Sequence, residues 1–110
     1  MRVLFDQGTP DPLRTFLTLH EVSTAYENHW SNFSNGLLLD VAERAVFEVL
    51  VTTDKNLKYQ QNLTRRRIAT VVLLSTSWPR MQRVIGSIVA AVDSAVAGSY
   101  SEVDVPYDDG

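Results

Sequence analysis

Residues Leu50–Leu57 read LVTTDKNL, and on this stretch the fold turns. With Glu48 and Val49 ahead of it, a short β-branched run, EVLVTT, passes without a break into an acid and a base. Short, apolar and uninterrupted, it has the pattern of a strand buried on both faces, as a parallel sheet requires. The polar residues after it admit two readings. Either they form a turn that caps the next helix, or the strand ends by delivering Asp54 to a site.

Toward the N-terminus, RVLF at residues 2–5 is a second short strand, with Asp6 at its exit and the turn-rich DQGTPDP beyond. From Pro12, Leu13, Phe16 and Leu17 recur at helical spacing, with Pro10 or Pro12 suited to a first turn. HEVSTAY then predicts another strand. Residues 27–36, ENHWSNFSNG, are loop by composition, with Trp30 and Phe33 expected to anchor it. Ser34 or Asn35 suits the N-cap of the helix GLLLDVAERAVF, whose Leu38, Ala42 and Ala45 share a face.

Beyond Asp54, DKNLKYQQNLTRRR predicts a short helix and a basic turn. IATVVLLS, residues 68–75, is the longest β-branched run and the expected central strand. Pro79 stands at a helix start, and Met81, Val84, Ile85, Ile88, Val89, Val92 and Val96 trace an apolar face down to Gly98, a natural C-cap. That face suits core packing or a homodimer equally. YSEVDVP alternates like an edge strand.

Strands alternating with helices predict an α/β, three-layer sandwich around a mainly parallel sheet of four to five strands. The expected organisation is one domain over residues 1–105 and a polar tail over 106–110, which holds Asp108 and Asp109. The 110 residues contain no cysteine, which removes a disulfide framework and a thiolate metal site. With neither a signal-peptide pattern nor an apolar run of about 18 residues, a cytoplasmic protein without membrane attachment is expected. A net charge of −3 removes a general pull on polyanions, although a local basic patch could still bind one. His20 and His29, nine apart, do not make a zinc centre.

In a parallel sheet Asp6 and Asp54 project from the same edge, where two acids can share a hard divalent cation. Asn35, at the start of the middle helix, reaches that edge as a neutral ligand or substrate contact. Asp40 lies about 7.5 Å further down the helix. Lys55 can hold a phosphate, Ser75 ends the fourth strand at the same edge, and Arg65, Arg66 and Arg67 can contact a nucleic-acid backbone further out.

At RVLFDQGTP and VLVTTDKNL, with NGLLLDVAERA between them, the chain resembles the short PIN-like proteins, over most of residues 2–75. Asp6 matches the acid that ends their first strand, and Asp54 the acid of a T-x-D-K pattern. The resemblance implies a PIN-like fold and an endoribonuclease dependent on Mg2+ or Mn2+, with Asp6 and Asp54 as metal ligands. Catalysis would fall to Asp6, Asp54, Asn35 and Lys55, and substrate binding to Lys55, Ser75 and the arginine triplet. Such proteins are mostly ribonucleases, many of them toxins encoded beside an antitoxin with a DNA-binding domain. Where relatives commonly carry an acid ahead of the middle helix this chain has Asn35, and a thinner carboxylate set implies weaker metal binding. The alternative is a non-catalytic module that binds a regulatory protein. A phosphoacceptor domain also needs an edge aspartate and a lysine, but on different strands, and here Lys55 directly follows Asp54.

Overall fold

The computed structural model describes residues 1–106; Tyr107–Gly110, most of the expected tail, lie outside the described residues. Five strands, β1 (Arg2–Phe5), β2 (Glu21–Thr24), β3 (Val49–Thr52), β4 (Ala69–Leu73) and β5 (Tyr100–Val103), form one sheet in the order β2-β1-β3-β4-β5. Every neighbouring pair is parallel, with Val3 opposite both Val22 and Val49, and Val51 opposite Val71. The α/β class and the parallel sheet stand as the sequence predicts.

Alternation along the strands divides the core into two layers. Val3, Phe5, Val49, Val51, Val71 and Leu73 point to one face. There they meet Leu13 and Leu17, from and beside a 3-10 helix at Asp11–Phe16, and Met81, Ile88 and Val92 from the C-terminal helices. Leu4, Leu50 and Ile68 point to the other, under α1 (Asn35–Arg44) and α2 (Leu57–Gln60), and meet Leu38, Leu39, Ala42 and Leu57. Each fully buried leucine or phenylalanine contributes about 1.5–3 kcal/mol.

β4 is a central strand as expected, buried along its length and paired with β3 and β5. One expectation needs correction. The C-terminal helix is broken: α3 (Trp78–Met81) passes through a 3-10 turn at Gln82–Val84 into α4 (Ile85–Asp93). Ser94, not Gly98, closes it, and its hydroxyl donates back to the Ala90 carbonyl at 2.8 Å. Gly98, at φ +77°, instead turns the loop beside the Arg66 carbonyl and donates its N–H to that of Arg67. Val96 therefore leaves the buried face and is 66% exposed.

The C-terminus of α1 has an uncommon cap. Phe47 N–H donates to the Ala42 carbonyl at 2.9 Å and Val46 N–H to that of Glu43 at 3.0 Å, the paired bonds of a Schellman motif. The motif needs a left-handed residue, ordinarily glycine, and here Val46 takes it at φ +65°. Burial of Phe47 beside Ala42 holds the motif in place. Among the described residues no helix is long and apolar enough to cross a membrane.

Candidate functional site

From β1 the chain crosses to β2 on one side, and from β2 it passes back over β1 to β3 on the other, so the carboxyl ends of β1 and β3 flank the topological switch point. Asp6 and Asp54 stand there. Alternation also gives them a common face: Leu4 leads to Asp6, and Leu50 through Thr52 to Asp54, on the side covered by α1.

Thr52 is the link between them. Its buried hydroxyl donates to Asp6 Oδ2 and accepts the Asp54 N–H at 3.0 Å. Asp6 Oδ1 accepts from Gly8 N–H at 3.1 Å and from Thr9 Oγ1 at 3.2 Å, while the Thr9 hydroxyl also reaches the Val51 carbonyl at 2.8 Å. Gly8 is required by close approach, since a Cβ there would lie 2.5 Å from Thr53 Oγ1. The hydroxyls of LVTTDKNL thus secure the acids: Thr52 bridges them and Thr53 packs against the Gly8 turn.

Asp54 is held from both sides. Asn56 N–H donates to its Oδ1 at 3.0 Å, and Asn35 Nδ2 to its Oδ2 at 3.2 Å. Asn35 Nδ2 also donates to Gln60 Oε1, at 3.0 Å. An ionised carboxylate only accepts, so the amide nitrogen faces Asp54 and Asn35 orients the acid. Ser34, not Asn35, is the N-cap of α1. Each carboxylate oxygen can accept about two hydrogen bonds, which leaves capacity on Oδ2 of Asp6 and on both oxygens of Asp54.

Burial pushes the Asp6 carboxyl above its ordinary range, and the nearby Asp54 charge pushes the same way against the Thr52, Gly8 and Thr9 donors. Among the described residues Asp6 makes no ion pair. Lys55 is exposed and makes no ion pair among the described residues. Ser75 lies at the carboxyl edge of β4, where its Oγ accepts the Ser77 N–H at 3.0 Å.

The arginine triplet is elsewhere. Arg65, Arg66 and Arg67 precede β4, so they stand at the amino edge of the sheet, one strand length from the acids, about 17 Å for five residues. Arg66 bridges Asp40 at 2.6 Å and Glu43 at 2.9 Å, fastening the loop before β4 to α1. The expectation that the triplet extends the acid site fails on chain direction: a loop that enters a parallel strand lies at the end opposite the one the strand leaves by. Trp30 anchors its loop as expected, edge-on to Phe47 at 6.0 Å, and Trp78, at the start of α3, lies tilted against Phe16 at 6.1 Å.

Sequence reasoning missed Thr52, Thr9 and Gly8. For Thr52 the signal was present, because it shares the period-two face of Leu50 and Asp54.

The arrangement suits a hard cation: two acids with free lone pairs, one of them half-buried with no ion pair among the described residues. Among the described residues no group of three or more acidic, histidine or cysteine side chains is placed to hold a metal, so any ion here would rest on Asp6 and Asp54 and keep several waters. Comparison of the chain with protein-family models, with curated proteins and with solved structures gives no match.

Proposed function

We propose that the chain is a metal-dependent endoribonuclease with a PIN-like site, acting with Mg2+ or Mn2+ on RNA phosphodiester bonds. The observation that carries the reading is the pair Asp6 and Asp54, tied through one threonine hydroxyl at the switch point, with Asp6 half-buried beside a like charge. Such a pair is costly without a counter-charge and is a common mark of a working site. A bound ion would supply Lewis-acid polarisation of the phosphoryl group and a water of lowered pKa.

The chain's own residues divide the remaining work. Thr52 fixes the separation of the acids, and Asn35 and Asn56 N–H orient Asp54. Lys55 and Ser75, at the rim of the same edge, are the phosphate contacts. The arginine triplet has no place in this site. The resemblance to short PIN-like proteins extends the proposal to a cytoplasmic toxin restrained by an antitoxin with a DNA-binding domain.

The rival reading is a non-catalytic module that binds a regulatory protein, and the hydrogen-bonded turn around Asp6 favours it, since the same bonds would cap that turn without a metal. A phosphoacceptor reading is weaker, because β5 leaves into Asp104 and no lysine stands at that strand's exit among the described residues.

Thermal melting with and without about a millimolar Mn2+, a range suited to weak carboxylate sites, separates the two. The expected result is a rise in melting temperature that vanishes in Asp6→Asn, Asp54→Asn, because a ligand bound only by the folded state stabilises it. Asp54→Asn alone should lower RNA cleavage about a thousandfold, the scale of several kcal/mol of transition-state stabilisation. Undiminished cleavage by that variant would sink the assignment.

A further inference from the structure

The amino edge of the sheet carries a feature that the acid site does not use. A groove of about 610 Å3 opens there where α1 and α4 end, floored by Phe47 and Ile68 and walled by Val46 and Val96. The floor is buried, but the two valines are 68% and 66% exposed and face one concave surface. A second depression shares Glu43, Arg44 and Arg67 with the first and adds Arg65 and Asp40.

Charge sorts unevenly around this surface. Arg66 lies between Asp40 and Glu43 and offsets one of their two charges, and Glu48, which accepts the Arg2 N–H at 3.2 Å, stays an acid on the groove wall. The guanidinium groups of Arg44, Arg65 and Arg67 take part in no ion pair among the described residues. Across the two depressions Arg44, Arg65, Arg66 and Arg67 stand against Asp40, Glu43 and Glu48, so in a chain of net charge −3 this rim is locally cationic by one charge.

Val46 adds a second mark. It is the C′ residue of α1, held left-handed at φ +65°, a conformation that a β-branched residue rarely adopts. Glycine would close the same cap without strain. Valine leaves strained backbone under an exposed apolar side chain on the groove wall, a combination that stability alone does not select.

We propose that this groove receives an acidic, apolar-tipped segment of a partner protein. Its apolar side chains seat between Val46 and Val96, and its carboxylates face Arg44, Arg65 and Arg67. RNA fits the same surface less well: phosphates would meet the arginines, but the walls are aliphatic and Phe47, 4% exposed, gives no face for base stacking. The groove and the acids occupy opposite ends of the same strands, so an occupant leaves Asp6 and Asp54 open.

The test uses the full chain and three probes followed by fluorescence anisotropy. They are a synthetic amphipathic peptide with leucines on one face and glutamates on the other, its counterpart with lysine for every glutamate, and a uridine oligonucleotide. The glutamate peptide should bind, more weakly at high salt, and the lysine peptide should not. Arg65→Glu, Arg67→Glu should weaken the glutamate peptide by about tenfold or more and admit the lysine peptide. Val46→Gly should weaken it by about tenfold as well, since each 1.4 kcal/mol of lost contact is tenfold, while its melting temperature holds or rises. No binding of the glutamate peptide, or binding indifferent to these variants, overturns the proposal. So does oligonucleotide binding that the charge reversal abolishes, which would make the surface a nucleic-acid face. The manganese shift of Val46→Gly should match that of wild type, so failure of the groove and failure of the metal site are read separately.

Discussion

Two carboxylates at opposite ends of the same sheet behave in opposite ways. At the carboxyl edge, burial and a like charge raise Asp6 above its usual range. At the amino edge, Glu43 is lowered: burial works against it, but Arg66 and the N–H groups of Arg67 and Ile68 win. Both acids accept several hydrogen bonds, so bond number does not set the sign. Two things differ: burial weighs more heavily on Asp6, and its partners are only hydroxyls and N–H groups where Glu43 has a guanidinium. At one edge charge fastens the fold, and at the other it is held in reserve.

The sharpest way to break this contrast is Thr52→Val, which keeps the shape but removes the hydroxyl between the acids. Cleavage should fall about 10–100-fold, the usual effect of losing a group that orients metal ligands, with the melting temperature little changed. Kinetics and melting on the same preparation check it. At the other edge, Glu43→Ala should cost about 2 kcal/mol of stability in urea denaturation, because it strips partners from a mostly buried guanidinium and two N–H groups. The wild type should lose that contribution in acid. Glu43 is depressed in the folded state, so its stabilisation is present above the ordinary value of 4.5 and is lost as pH falls through the folded pKa.

Val46→Gly should stabilise by about 1 kcal/mol, the lower end of the cost of a strained left-handed residue, also read by urea denaturation. The smallest effect, also stabilising, is expected at the acid site. Asp6→Asn should raise the melting temperature at pH 7. A raised folded pKa means that the native state binds more protons than the unfolded chain, so stability falls as pH rises from about 3.8 through the folded pKa. Asparagine is free of that loss, and its advantage should narrow as pH falls through the same window. An advantage that does not change with pH would assign Asp6 a turn role alone.

The strands were legible because their signal is local. RVLF, VLVT and ATVVL are short β-branched runs between turn residues, and β1 at Arg2–Phe5 needed no correction. The pairing of Asp6 with Asp54 was legible because a parallel sheet sends all strand exits to one edge. The same rule read backward would have put Arg65, Arg66 and Arg67 at the far edge, since they enter β4. Thr52 was legible by face, but its bond to Asp6, which crosses from β3 to the exit of β1, is tertiary, as is the break after Met81, where good helix formers continue but the packing does not. The Val46 cap was hidden for a related reason, because its helix-ending position calls for glycine and the chain supplies valine.

The sheet order has a consequence for how the protein is made. β1 pairs with β2 on one side and with β3 on the other, so Val3, which can meet Val22 early, must wait for Val49 on its second edge, and Asp6 must wait for Thr52. During synthesis at about 5–20 residues per second, the first strand emerges seconds ahead of the strand that completes it. Throughout that interval β1 offers an unpaired edge, and the two acids are not yet joined. The activity proposed for this edge therefore cannot precede insertion of β3, and a nascent chain halted before Asp54 would be inert toward RNA.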